Sequence, residues 1–323
     1  MKILIIRLSS LGDIVLTQPI TAELRRLYPK AQIHYLTKAA FAGLVGTFGT
    51  IDRIILYDIS LAFHLEQAHS GYDLVIDLHA KLASFLISLC CFRSKVLRYH
   101  KARSIRTRIV KKHLKQGIES TVVLYLSALN RLPDFRASEP LSKPVLIVPE
   151  LDVDFPPIPP GKTITAIFPG ATHKTKMIPS QKLAETVQSL SESHYFLILG
   201  SSSEHWLGEI ILKGQADAGI NLCGKYTIPE LIKAISNTDL VISNDSGPMH
   251  LAAALGKKQI AFFGATHPAL GFAPLNPDAA LIVKNPDCQP CSLHGGEACP
   301  RRDFRCMNDI SPSEIVQLIQ KLS

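Results

Sequence analysis

Short apolar runs separated by helix-length spacers recur along this chain in two series, with a proline-dense stretch between them. Few folds accept that pattern, because parallel strands need helix-sized crossover connections. In the first series, residues 2–8 read as a buried strand and residues 12–28 as a helix, with apolar spacing at Ile14, Ile20, Leu24 and Leu27. Further strands are expected at 33–36, 53–57, 74–77 and 96–99. Pro149, Pro156, Pro157, Pro159 and Pro160 then preclude a regular helix. The second series places strands at 164–168, 195–199, 240–243 and 259–263, with a helix at 180–193.

The fold class expected is α/β with two Rossmann-like domains. Residues 1–150 form the first, 151–161 a linker, 162–310 the second and 311–323 a C-terminal helix. Thr227-Ile228-Pro229-Glu230 and Ser311-Pro312-Ser313-Glu314 both fit the capping box that opens a helix. A length of 323 residues suits two domains of about 150 each.

Composition sets outer limits. Hydrophobic residues make up 46% and charged residues 19%, enough apolar surface for folded cores. The longest nearly unbroken apolar stretch, residues 82–92, is shorter than the about 20 residues of a membrane span and reads as a buried helix. No secretion signal is evident at the start, so a cytoplasmic location is expected. The formal charge of +8 is concentrated, since residues 93–115 hold ten Lys or Arg and no Asp or Glu. One basic surface is the expectation, suited to acidic groups at a membrane surface; no recognised nucleic-acid module accompanies it.

Three strand-to-helix turns carry candidate chemistry. The turn from Ser243 to His250 ends an apolar strand in Asn244-Asp245-Ser246-Gly247-Pro248 and opens a helix. Gly247 allows close backbone approach, Ser246 offers a hydroxyl and the helix start favours an anion. Asp245 is suited to accept hydrogen bonds from hydroxyls, so sugar plus phosphate satisfies the whole turn. The first turn, Arg7-Leu8-Ser9-Ser10-Leu11-Gly12-Asp13, lacks the GxGxxG spacing of a dinucleotide fingerprint, which disfavours a nicotinamide cofactor. Asp13 is placed to take a proton from a hydroxyl, and a helix-cap role fits it as well. The third, residues 167–179, joins strand to helix through Gly170, Thr172, Lys174, Thr175 and Lys176, without Walker spacing.

Seven cysteines in a chain this long do not make a disulfide scaffold, and Cys90, Cys91 and Cys223 read as small buried hydrophobes. Cys288, Cys291, Cys299 and Cys306 contain one CxxC pair and an irregular second spacing. A structural zinc site, packed thiols and a redox-sensitive loop all fit them.

Ser9-Ser10-Leu11-Gly12-Asp13, Pro169-Gly170-Ala171 with Lys176 and Pro179, Asn244-Asp245-Ser246-Gly247-Pro248-Met249-His250, and Phe263-Gly264-Ala265-Thr266 together resemble glycosyltransferase family 9, the ADP-heptose:lipopolysaccharide heptosyltransferases. The resemblance runs nearly end to end. It implies a GT-B fold, two Rossmann-like domains facing a central cleft, with the C-terminal helix returning to the first domain. It implies inverting transfer of heptose from ADP-heptose to Kdo or heptose in the inner core of a lipopolysaccharide precursor. Asp13 matches the general base; Thr172, Lys176, Glu204, Asp245, Ser246 and Gly247 match donor positions, with His250 supporting the loop. Ser10, Gly12, Arg93, Arg98 and Lys101 are the acceptor candidates. No metal or other cofactor is implied, and the enzyme would act at the inner face of the cytoplasmic membrane. Ile178 stands where the family usually has an aromatic. Two alternatives remain: a GT-B transferase for another sugar nucleotide, and a non-catalytic nucleotide-sugar-binding scaffold.

Overall fold

The computed structural model describes residues 1–136 and 142–322, so residue 323, the end of the expected C-terminal helix, lies outside the described residues. The chain divides into two compact units, Met1–Ala102 with Glu119–Ile147, and Arg103–Ile118 with Val148–Ser323.

In chain order the first unit contains β1 (Lys2–Ile6), α1 (Leu11–Val15), α2 (Gln18–Leu27), β2 (Gln32–Thr37), α3 (Ala42–Gly46), β3 (Arg53–Leu56), α4 (Leu61–His69), β4 (Leu74–Asp77), α5 (Leu82–Cys90) and β5 (Lys95–Arg98). Then α6 (Arg103–Lys111) belongs to the second unit, and α7 (Thr121–Leu126) returns to the first. Its sheet is wholly parallel in the order β3-β2-β1-β4-β5. Both faces are covered, so the central strands are apolar throughout: Ile3, Leu4, Ile5 and Ile6 are fully buried. The helix expected at 12–28 is two helices. Thr17 turns its hydroxyl onto the Ile14 carbonyl at 2.7 Å, and Pro19 has no N–H to continue the ladder.

The second unit adds β6 (Thr163–Phe168), α8 (Ser180–Leu190), β7 (His194–Ile198), α9 (His205–Ile211), β8 (Gly219–Asn221), α10 (Ile228–Ser236), β9 (Leu240–Asn244), α11 (Gly247–Ala254), β10 (Lys258–Phe262), β11 (Ala279–Ile282), α12 (Arg305–Asn308) and α13 (Pro312–Leu322). Its parallel sheet runs β11-β10-β9-β6-β7-β8. Ile167, Phe196, Ile198, Ile242, Ile260 and Phe262 form the centre of its core. Residues 148–159 form no regular element, as their prolines require.

One segment falls elsewhere than its position in the sequence suggests. Residues 103–118 group with the second unit because Arg106 Nε donates to the Leu270 carbonyl at 3.1 Å and the Ile118 amide to Ala269 at 3.1 Å. Gly117 permits that approach, since a Cβ there would sit 1.8 Å from the Ala269 oxygen. The basic stretch is therefore split between units, and Arg106 is buried against Phe272, 4.6 Å from the ring centre. The buried residues of α13, Ile315 and Ile319, belong to the second unit's core, where the helix packs on α8 and β10.

Helix α5 corrects a third expectation. It is helical as its length suggests, yet Leu82, Phe85, Leu86 and Leu89 are exposed while Ser84 and Ser88 are buried.

Candidate functional site

In an open parallel sheet the ligand crevice lies beyond the carboxyl ends of the strands, where the strand order reverses. In the first unit that point is between β1 and β4, and in the second between β6 and β9. Every turn with candidate chemistry lies at one of these two points.

The first unit's turn is built around Asp13. Arg7, the residue after β1, is buried and sends Nη2 to Asp13 Oδ2 at 2.7 Å, Nη1 to the Leu78 carbonyl at 2.6 Å and Nε to the Ser9 carbonyl at 2.6 Å. Ser10 caps α1 and donates its hydroxyl to Asp13 Oδ2 at 2.9 Å, with its amide at 3.4 Å. Tyr125, from α7, donates its hydroxyl to Asp13 Oδ1 at 3.0 Å, and the Arg7 guanidinium lies over its ring. Asp13 therefore serves the helix cap and a buried ion pair at once. Burial pushes its carboxyl up, but Arg7 and the bonds from Ser10 and Tyr125 outweigh that and hold it below the usual carboxylate value. Its side chain keeps 24% exposure.

The turn after β4 lies alongside. Asp77, fully buried, accepts from the amides of His79 at 3.1 Å and Ala80 at 2.7 Å, and its Oδ2 receives Arg98 Nε at 3.1 Å. Lys101 Nζ donates to the Ala80 carbonyl. His79 is buried; that burial, with Arg7 and Lys81 nearby, pushes its pKa down to about 4 and leaves it neutral. Of the acceptor candidates, Ser10, Gly12, Arg98 and Lys101 thus lie beyond the carboxyl ends of the first unit's strands, while Arg93 is an exposed residue beyond α5.

In the second unit Asn244 is the organiser. Its Oδ1 accepts the Ile178 amide at 3.0 Å, and its Nδ2 donates to the Pro169 and Gly170 carbonyls at 2.8 and 3.2 Å. One buried side chain thereby ties the turn after β6 to the turn after β9. Lys176 Nζ then reaches Asp245 Oδ2 at 2.9 Å, which also receives Thr266 Oγ1 at 2.6 Å. Asp245 is buried and engaged by these two groups, where the sequence suggests a carboxylate open to hydroxyls. An ammonium has three donors, so Lys176 retains two for an anion.

Ser246 and Gly247 stand at the start of α11, and His250 is buried one turn further along that helix. Thr172 is exposed on the turn after β6. Glu204 follows β7 and accepts from the Ser201 amide and hydroxyl at 2.6 and 2.9 Å. Its carboxylate lies over Gly170 and Gly200, where a Cβ would come within 1.8 and 2.6 Å of its oxygens. Only glycine at both places lets it reach the turn after β6.

Cys288, Cys291, Cys299 and Cys306 all line one small cavity with Thr175, Gly264 and Phe304. All four are free thiols, and burial pushes Cys306 up to about 12. Among the described residues no group of three or more His, Cys, Asp or Glu is arranged to hold a metal. The segment also braces the site: Thr175 exchanges bonds with Gly296, its amide donating at 3.0 Å and its hydroxyl accepting at 2.7 Å.

Sequence reasoning missed Tyr125 and His79, and quoted Arg7, Asn244 and Thr266 in its motifs without giving them a role. A signal existed for Arg7, a charge closing an otherwise apolar strand, and for Asn244, a polar residue at the buried end of one. Tyr125 and His79 carry no local signal, because only the fold brings them to β1.

The profile of glycosyltransferase family 9 (heptosyltransferase) matches residues 62–297. A lipooligosaccharide heptosyltransferase 2 of Campylobacter jejuni subsp. jejuni serotype O:6 is 35% identical over 168 residues, 50% of this chain and 52% of the relative, so the match spans about half that relative's length. A lipopolysaccharide heptosyltransferase 1 of Campylobacter coli is 28% identical over 347 residues, covering 100% of this chain and 99% of the relative. The structure of E. coli ADP-heptose LPS heptosyltransferase II superimposes with a TM-score of 0.79 at 22% identity, covering 100% of this chain and 98% of that one, and the two share the GT-B fold. With a profile match across most of its length, the chain belongs to glycosyltransferase family 9 (heptosyltransferase).

Proposed function

We propose that this protein is an inverting heptosyltransferase that moves heptose from ADP-heptose onto Kdo or heptose in the inner core of a lipopolysaccharide precursor. The carrying observation is that a partly exposed Asp13, paired with Arg7, and a Lys176–Asp245 cluster each occupy the carboxyl end of a sheet in a family 9 chain. The names of the Campylobacter and E. coli relatives support heptose and ADP-heptose as the chemistry.

In this reading Asp13 accepts the proton of the acceptor hydroxyl. That oxygen bonds to the anomeric carbon, the bond from that carbon to the diphosphate breaks, and its electron pair leaves with ADP, inverting the configuration. The hydroxyl becomes strongly acidic as it bonds to carbon, so a carboxylate of low basicity suffices. Tyr125, Ser10 and Arg7 position that carboxylate. Lys176, Thr172 and the Ser246-Gly247 helix start meet the charge growing on the diphosphate, which stabilises the transition state more than the ground state. Glu204 contacts the nucleoside and His250 supports the loop from inside the core. Ser10, Gly12, Arg93, Arg98 and Lys101 meet the acidic acceptor. Lys176 and the helix start supply the leaving-group stabilisation a metal would otherwise provide, so transfer proceeds without one; undiminished activity in excess chelator is the expected result. The enzyme works at the inner face of the cytoplasmic membrane, where such a precursor is presented.

Asp13→Ala tests the assignment. Loss of transfer with ADP binding retained is expected; parallel loss of transfer, binding and folding would reduce Asp13 to a cap.

A further inference from the structure

Helix α5 is apolar on its outer side. Leu82, Phe85, Leu86 and Leu89 follow the i, i+3, i+4, i+7 spacing of one helical face, and Phe92 continues it past the helix end; all five are between 46% and 76% exposed. The inward side is the more polar one. It carries Ser84 and Ser88, whose hydroxyls are satisfied by the Lys81 and Ser84 carbonyls, with Ile87 reaching the core and Ala83 packing against it. A helix folded for water places those types the other way round. Neighbouring α4 packs beside it and adds exposed Leu61 and Leu65. A patch of this kind marks an interaction surface.

Charge identifies the occupant. Exposed Lys81 stands at one end of α5, and exposed Arg93 and Lys95 at the other. The chain has no Asp or Glu from residue 78 to residue 118. Arg98 lies over the Phe85 ring, 5.3 Å from its centre, so one aromatic bridges the apolar face and the cationic rim. An apolar stripe rimmed by cations fits a bilayer interface with anionic headgroups, where rings and aliphatic chains enter the acyl boundary and the cations meet phosphates. The helix is about 14 Å long against a hydrocarbon core of roughly 30 Å, so it lies in the interface. Among the described residues no helix is long and apolar enough to cross a membrane.

We propose that the outer face of α5, Leu82, Phe85, Leu86, Leu89 and Phe92 within a Lys81, Arg93 and Lys95 rim, is the element by which this protein docks on an anionic phospholipid surface. This names the surface behind the membrane location proposed above and rests on that location.

Co-sedimentation of the full chain with phosphatidylcholine vesicles, with and without phosphatidylglycerol, tests it. Wild type should bind the anionic vesicles more tightly. Leu86→Gln with Leu89→Gln should lower the partition coefficient about tenfold or more, leaving thermal unfolding and transfer to a soluble, deacylated acceptor unchanged. Lys81→Gln and Lys95→Gln should each lower binding to the anionic vesicles about fivefold and leave binding to neutral ones unaltered. If wild type binds neither vesicle, the membrane location fails and the proposal with it. If wild type binds and the double leucine variant binds equally, the location stands and α5 is the wrong surface. If the leucine variant instead converts a dimer to a monomer without lipid, a second copy covers this face and the proposal is overturned.

Discussion

Replacing Arg7 by Met removes the charge beside Asp13 and keeps most of the aliphatic volume. Taking one partner from a buried ion pair costs about 3–5 kcal/mol. Asp13 keeps 24% exposure and its bonds from Ser10 and Tyr125, so the lower end, about 3 kcal/mol, is expected. Urea denaturation at neutral pH measures it. Because the two residues are in contact, Arg7→Met with Asp13→Asn should cost about 1–2 kcal/mol less than the sum of the single variants. The pH dependence follows from the direction of the shift. Asp13 is held below its ordinary value in the folded protein, so its contribution is present above the unfolded carboxylate value of about 3.9 and is lost as pH falls through the folded one. Without Arg7 only the bonds from Ser10 and Tyr125 oppose burial, so the folded value rises and Asp13 contributes less to the variant's stability at neutral pH. The gap between wild type and Arg7→Met should therefore narrow on acidification, and the acid limb of the variant's rate profile should move to higher pH. A cost below about 1 kcal/mol, additive double-variant energies, or a gap that widens in acid would refute this account of Asp13.

Three further outcomes follow from the second unit and the basic residues. Lys176→Met should weaken ADP binding about tenfold or more and cost stability, since Asp245 loses its counter-charge while buried; calorimetric titration with ADP reads it. Asn244→Ala should destabilise by about 2–4 kcal/mol in urea and raise the Kd for ADP, because the Pro169 and Gly170 carbonyls and the Ile178 amide lose their partner. Acceptor affinity should fall as salt rises, with Arg98 and Lys101 near the Asp13 turn, whereas ADP-binding variants leave that slope unchanged.

Much of the architecture was legible because buried parallel strands are continuous apolar runs, and residues 74–77 coincide with β4. β8 escaped notice because three residues, Gly219, Ile220 and Asn221, carry no period. β11 did so because Ala279 and Ala280 are weakly patterned. The α5 reading failed because apolar composition alone does not say which side of a helix turns inward: Ser84, Ile87 and Ser88 do, while Leu82, Phe85, Leu86 and Leu89 face outward. The site divides similarly. Asp13, Lys176 and Asp245 announce themselves by position in their turns. Tyr125, 112 residues from Asp13, does not, and Asn244 acts through backbone groups that sequence leaves invisible.

The central claim is tested most directly by incubating the purified protein with ADP-heptose and a deacylated inner-core acceptor, and reading ADP release together with the anomeric configuration of the product. Stoichiometric ADP and glycoside with the configuration opposite to the donor's are predicted. Retained configuration, or ADP-heptose binding without turnover, would contradict the account.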